Sequence, residues 1–179
     1  MKRILLAIFS VLIFQLSSSQ EKNGRVFFAA DMNFTLGINE HYQIGPDDDN
    51  GPLIVPSALF FRFGFGYEFR KRVAIAFNSG YDFHWNYDVK AFPTYGSLKY
   101  NITEKEGNTH FIEIRRGKMW TPSAKYSDGN YYGIGLGIQV AGEERWNTIF
   151  RIDFHRKRSI GFENNRLDSL SFGFGFSFF

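Results

Sequence analysis

Apolar and polar side chains alternate along most of the chain from residue 25 onward. Apolar positions recur every second residue in eight runs, which are separated by polar, glycine-rich or charged connections and show no sustained 3.6-residue repeat. The runs cover residues 25–38, 59–69, 73–87, 92–102, 110–120, 132–140, 146–155 and 170–178. The pattern therefore predicts eight β-strands of about ten residues each and almost no helix.

The two faces of these runs differ in a way that bears on their surroundings. In runs two, six and eight the less apolar face is mostly Gly, Ala and Ser, whereas a sheet face exposed to water would carry Lys, Glu, Thr and Gln. Small residues suit a crowded barrel interior, so the strongly apolar face is expected to point outward into lipid. Run five is less regular, since Ile112 and Ile114 oppose Glu113 and Arg115 but Arg116 and Lys118 interrupt its second half.

Aromatic residues and connection lengths favour a membrane barrel over a soluble eight-stranded barrel of the lipocalin or avidin type, which is the alternative. Trp85, Trp120 and Trp146 all fall at strand ends, where amphipathic rings meet a bilayer interface. The connections at 70–72 and 142–145 are tight and those after runs one, five and seven are long, although 86–90 is short and 103–108 medium. We therefore predict an all-β fold, an eight-stranded antiparallel transmembrane up-and-down β-barrel.

The first residues read as an export signal. Lys2 and Arg3 precede an apolar run from Ile4 to Phe14, which is about half of the roughly 20 residues that a helix needs to span a bilayer. Ser17 and Ser19 then supply the small residues of a cleavage site. We expect residues 1–19 to be a signal peptide and residues 20–179 to form an outer-membrane barrel domain.

Composition narrows the function further. The chain has 22 Phe among 179 residues and no Cys, so neither a disulfide nor a lipoprotein anchor is expected. Loss of Lys2 and Arg3 lowers the formal net charge from +3 to +1, and nucleic-acid binding is therefore not expected.

The last run resembles the C-terminal assembly signal of outer-membrane barrels in Ser171, Gly173, Phe176 and Phe178, with one residue, Phe179, beyond it. The segments 65–69, 92–100 and 132–137 resemble strands of the small Bacteroidota outer-membrane β-barrel family, which includes the PorT-like barrels. The resemblance implies an eight-stranded barrel in the cell outer membrane, inserted by the barrel-assembly machinery, and it brings no shared catalytic residue.

Charged residues on the small-residue face are expected to point into the lumen. Eight strands leave room only for side chains, and buried charges must be paired, so an internal ion-pair plug is predicted. His84 and His155 share this face. The candidates are Asp31, Arg62, Glu68, Asp82, Lys99, Glu113, Arg115, Arg151 and Asp153.

Three other features of the sequence are candidate sites. Arg156, Lys157 and Arg158 would emerge at the rim of strand seven, where lipopolysaccharide phosphates lie. The acidic stretch 46–52 lacks EF-hand spacing and is expected to be a solvated turn, so no metal and no cofactor are predicted. His155 and Ser159 would lie roughly 13 Å apart along one strand, beyond the reach of a nucleophile and its base.

We therefore expect a non-enzymatic outer-membrane barrel that acts structurally or through its outer loops, in contact with outer-membrane lipid, lipopolysaccharide and an unidentified envelope partner. A narrow conduit for a small solute or hydrophobic ligand is the first alternative. A lipid A-modifying enzyme is the remote one.

Overall fold

The computed structural model describes residues 24–38, 53–85, 88–105, 107–122, 125–142 and 145–179. The predicted signal peptide and the acidic stretch 46–52 lie outside these ranges. The strands are β1 (Gly24–Ile38), β2 (Ile54–Phe69), β3 (Val73–His84), β4 (Val89–Lys105), β5 (Asn108–Trp120), β6 (Gly129–Ala141), β7 (Trp146–Arg158) and β8 (Arg166–Phe178).

Each strand pairs antiparallel with its neighbours in the chain, and β1 pairs with β8 to close the barrel. The closing seam joins Phe28–Gly37 of β1 to Ser169–Phe178 of β8. The predicted eight-stranded up-and-down barrel is therefore confirmed.

Several strands are longer than the alternation predicted. β2 begins at Ile54 rather than Leu59, β4 runs from Val89 to Lys105, and β8 begins at Arg166 rather than Leu170. These extensions leave only two residues between β4 and β5. The prediction of a medium-length connection at 103–108 was therefore wrong. The connections 70–72, 106–107 and 142–145 lie at one end of the barrel, called here the short-turn end; the opposite end is the long-loop end.

A tight turn joins β2 to β3. Arg70 and Lys71 both have positive φ, at 44° and 59°, and the Arg72 amide donates to the Phe69 carbonyl over 2.9 Å. Two consecutive residues of positive φ match the twist of the flanking strands, which allows so short a reversal.

The outward face of the barrel is a continuous apolar surface. Phe63, Phe65 and Phe77 are 65%, 53% and 64% exposed, and Ile, Leu and further Phe residues occupy the equivalent positions of the other strands. A water-facing surface would not tolerate so large an apolar patch, whereas lipid solvates it. Within the described residues, no helix is both long and apolar enough to cross a bilayer.

Candidate functional site

The lumen holds all nine of the charged residues predicted to point inward. Period-2 alternation places them there, because each lies at the opposite parity from the lipid-facing Phe, Ile and Leu of its strand. Their side chains form three groups along the barrel axis, and each group contains charges of both signs.

The group nearest the long-loop end is built on Asp82. Its carboxylate contacts the Arg62 guanidinium, and Lys157 Nζ lies 2.5 Å from Asp82 Oδ2. Lys157 Nζ is also 2.6 Å from His84 Nε2 and sits 3.9 Å from the centre of the Phe60 ring. A single carboxylate on β3 therefore ties β2 to β7 across the interior.

The central group forms a ring of carboxylates and guanidinium groups. Arg115 Nη2 lies 3.0 Å from Glu113 Oε2 and 3.1 Å from Asp153 Oδ1. Arg151 contacts Glu113, approaches Asp153 Oδ2 to 2.9 Å and lies 3.8 Å from Asp31 Oδ2. Since these residues come from β1, β5 and β7, the group spans the full width of the lumen.

The group nearest the short-turn end is built on Glu68. Arg25 Nε lies 2.9 Å from Glu68 Oε1, and Lys99 Nζ lies 3.9 Å from Glu68 Oε2 while donating to Gln139 Oε1 over 3.0 Å. Asn101 Nδ2 also donates to Glu68 Oε2 over 3.4 Å. The hydrogen bonds replace water that the crowded interior excludes.

Lys157 corrects the rim prediction. Its side chain is fully buried, so it cannot contact lipopolysaccharide; Arg156 and Arg158, one residue to either side, face outward. The reason is parity, because Lys157 continues the inward series of Arg151, Asp153 and His155. With Lys157 added to the nine predicted residues, the set holds five bases and five acids, and the partly exposed Arg25 adds a sixth base at the short-turn end.

A hydrogen-bonded chain of buried polar side chains was not predicted from the sequence. Both ring nitrogens of His155 form hydrogen bonds. Tyr131 Oη lies 2.6 Å from Nδ1, and Ser171 Oγ lies 2.7 Å from Nε2. His155 therefore pairs with a serine of β8 rather than with Ser159, whose hydroxyl donates to backbone carbonyls of the nearby loops. Tyr131, His155 and Ser171 are each fully buried, so a substrate has no access to this hydroxyl.

Two clusters of buried apolar residues pack inside the barrel, one toward each end. The long-loop cluster comprises Val89, Ala91, Met119, Tyr126, Phe162 and Leu167. The Tyr126 and Phe162 rings are tilted by 36° with their centres 5.0 Å apart, and the Ser127 amide donates to the Ile160 carbonyl over 3.1 Å, which joins the two loops. The short-turn cluster comprises Phe27, Ala74 and Ala76, with Ala29 and Phe179 packed against them, and the strand register places it beside the Glu68 group.

Phe179, the residue beyond the predicted assembly signal, packs against this short-turn cluster. Its ring lies 6.2 Å from Phe27 and 3.3 Å below the Arg25 guanidinium, and its amide donates to the Arg145 carbonyl. Within the signal itself, Ser171 and Gly173 face the lumen while Phe176 and Phe178 face outward.

The outer rim of β5 to β8 is basic. Arg116 and Lys118, which had interrupted the alternation of run five, simply continue its outward face. The strand register aligns Arg116 with Tyr132, Arg156 and Asp168, and Lys118 with Asn130, Arg158 and Arg166. We call Arg116, Lys118, Arg156, Arg158 and Arg166 the basic rim.

Among the described residues no group of three or more His, Asp or Glu side chains is arranged to hold a metal ion.

Comparison with known proteins identifies the fold. No family model matches the chain, and no curated protein has a similar sequence. The solved structure of Neisserial surface protein A (NspA) superimposes with a TM-score of 0.65 at 10% identity, covering 86% of this chain and 96% of that one. The N-terminal β-barrel domain of Pseudomonas aeruginosa OprF gives 0.56 at 16% identity, covering 89% and 100%. At these identities the likeness concerns architecture, and it shows that the chain has the eight-stranded barrel fold that these two proteins share.

Proposed function

We propose that this chain is an outer-membrane protein whose closed barrel serves as a structural and surface-interaction platform, acting at its long-loop end. The observation that carries the proposal is the filled interior. Three ion-pair groups occupy the lumen, and their side chains apart from that of Arg25 are mostly buried, so the described residues leave function to the outer surface.

The orientation follows from the connections. Exported barrels have short periplasmic turns and longer outer loops, which would put the short-turn end in the periplasm. Export through a signal peptide at 1–19 and insertion by the barrel-assembly machinery belong to the same proposal. The assembly signal would be read at Ser171, Gly173, Phe176 and Phe178. The resemblance to small Bacteroidota barrels and the fold shared with NspA, a protein named for the cell surface, are consistent with it.

A non-enzymatic role is part of the proposal. The His155–Ser171 pair has the contact distance of a base and nucleophile, yet both side chains are fully buried. A nucleophile must reach its substrate, so we interpret the pair as a hydrogen bond that satisfies buried polar groups.

Conductance in planar lipid bilayers tests the platform against the conduit. We expect the refolded protein to insert without current steps, and Arg151→Ala to remain silent because the other charged groups and both apolar clusters still fill the lumen. A porin recorded in the same bilayers provides the positive control. Reproducible steps from the parent chain, or steps that appear in Arg151→Ala, would instead support a gated conduit.

A further inference from the structure

Positive charge on the outward face is concentrated on one side of the long-loop end. The basic rim occupies two adjacent rows of β5 to β8, and Asp168 is the acid in those rows. Toward the long-loop end, the outward positions of β1 to β4 that the structure describes carry Lys90 and Thr94 together with aromatic residues such as Phe34, Phe83 and Phe92. The charge is therefore a local feature and not a uniform girdle.

The rim lies directly against the lipid-facing surface. The next outward row, two residues along each strand from the row of Arg116 and Arg156 toward the middle of the barrel, is apolar. It consists of Ile114, Ile134, Phe154 and Leu170. Trp120, at the end of β5, is half exposed and donates to Thr94 Oγ1 over 3.0 Å, as expected of an indole at a bilayer interface. The bases therefore lie at the depth of lipid headgroups.

Local contacts hold the rim side chains over the sheet without neutralising them. Lys118 Nζ donates to the amide oxygen of Asn130 over 3.0 Å, and the Arg116 guanidinium lies 5.9 Å from the centre of the Tyr132 ring. Arg156 pairs with Asp168 over 2.8 and 2.7 Å, and Arg166 Nε lies 4.0 Å from the same carboxylate, so this one acid faces two of the five bases. The two rows thus retain an excess of positive charge.

A groove begins where the rim meets the apolar surface. It has a volume of about 440 Å³ and opens to the outside. Its upper wall is basic and its lower wall apolar, so it is suited to a molecule with an anionic head and a hydrocarbon tail. The lining residues are Tyr132, Gly133, Ile134, Phe154, Arg156 and Arg158.

We propose that the basic rim and this groove bind a phosphorylated glycolipid of the outer leaflet, with its phosphates on the rim and an acyl chain along Ile134 and Phe154. This rests on the outer-membrane orientation proposed above. Four strands at about 4.8 Å spacing give the rim a width of roughly 14 Å. A single phosphodiester engages one or two bases, whereas a sugar headgroup phosphorylated at both ends can engage bases across the whole rim.

The test measures binding to the refolded full chain in detergent micelles by native mass spectrometry. The probes are bisphosphorylated lipid A, the same lipid A after phosphate removal, and phosphatidylglycerol. The rim variant is Arg116→Gln/Lys118→Gln/Arg158→Gln, which leaves the Arg156–Asp168 pair in place. The matched control is Arg70→Gln/Arg72→Gln/Lys105→Gln, which removes the same charge at the short-turn end.

We expect bisphosphorylated lipid A to bind the parent and the control variant equally, and the rim variant at least about tenfold more weakly, since that variant lacks three of the five rim bases. Unheated gel mobility verifies that each variant is folded. Equal binding by parent and rim variant overturns the proposal. Equal binding of dephosphorylated lipid A, or of phosphatidylglycerol, also overturns it, because the phosphorylated sugar would then not be recognised. Each of these failures leaves the non-conducting platform standing, since that is judged by conductance.

Discussion

Lys157 and Arg158 are neighbours in the chain with opposite surroundings. Lys157 is fully buried against Asp82 and His84, whereas Arg158 is exposed on the basic rim. Removing one member of a buried ion pair leaves the other charged group without compensation, which costs far more than the loss of an exposed pair.

We expect Lys157→Ala to lower the free energy of unfolding by about 3–5 kcal/mol, and Arg158→Ala to change it by less than about 0.5 kcal/mol. Urea titration of protein refolded into lipid vesicles gives both values. Similar unfolding midpoints for the two variants would contradict the inward position of Lys157.

Arg151 gives a second comparison at this scale, because it contacts three carboxylates of the central group. Arg151→Ala should cost about 3–5 kcal/mol, and Arg156→Ala, whose partner Asp168 is on the outer surface, about 0–1 kcal/mol. The same titration measures them. If Arg151→Ala unfolds at the parent's urea concentration, the central group does not stabilise the barrel.

Parity along each strand predicted which residues face the lumen. Applied within the basic triplet 156–158, the same rule places Lys157 inward and its two neighbours outward. It could not predict the partners. Lys157 on β7 meets Asp82 on β3, and Arg151 on β7 meets Glu113 on β5. Such contacts depend on barrel diameter and strand stagger, which alternation does not determine.

At the scale of the strand, the inward glycines make room for the ion pairs. A methyl group at Gly135 would collide with the Asp153 carboxylate, and one at Gly173 would meet Asn33 and lie 2.6 Å from Arg151 Cγ. The small-residue face that favoured a membrane barrel is therefore shaped around the charged side chains of neighbouring strands.

Gly173→Ala should accordingly destabilise the barrel by about 1–3 kcal/mol through overpacking. Gly96→Ala is the control, since an added methyl group there has no neighbour within 4 Å; it should be neutral or stabilise by up to about 1 kcal/mol. Unfolding midpoints in urea test the pair, and a neutral Gly173→Ala would argue against a tightly filled lumen.

Strand ends were the least predictable part of the elements. Alternation weakened where β2 and β4 leave the lipid-facing zone, because residues there are not sorted between lipid and lumen. The strands of 12 to 17 residues exceed the 9–11 or so needed to cross a bilayer. The sheet therefore continues beyond the membrane and carries the basic rim at headgroup depth.

For the whole molecule, closure of the sheet leaves no unpaired edge along the seam, which makes the barrel resistant to detergent. We expect unheated and boiled samples to migrate differently on detergent gels. Identical migration, together with solubility in the absence of detergent, would contradict a membrane-embedded barrel.

The seam between β1 and β8 has a mechanical consequence. Asp31 lies on the seam strand β1, and its carboxylate faces Arg151 on β7 across β8. Parting the seam sideways would break the backbone pairing of Phe28–Gly37 and would also draw Asp31 away from Arg151, exposing the central group to hydrocarbon. Lateral opening toward the lipid, a route by which a barrel can exchange apolar molecules with the bilayer, is therefore opposed by the same charges that fill the lumen.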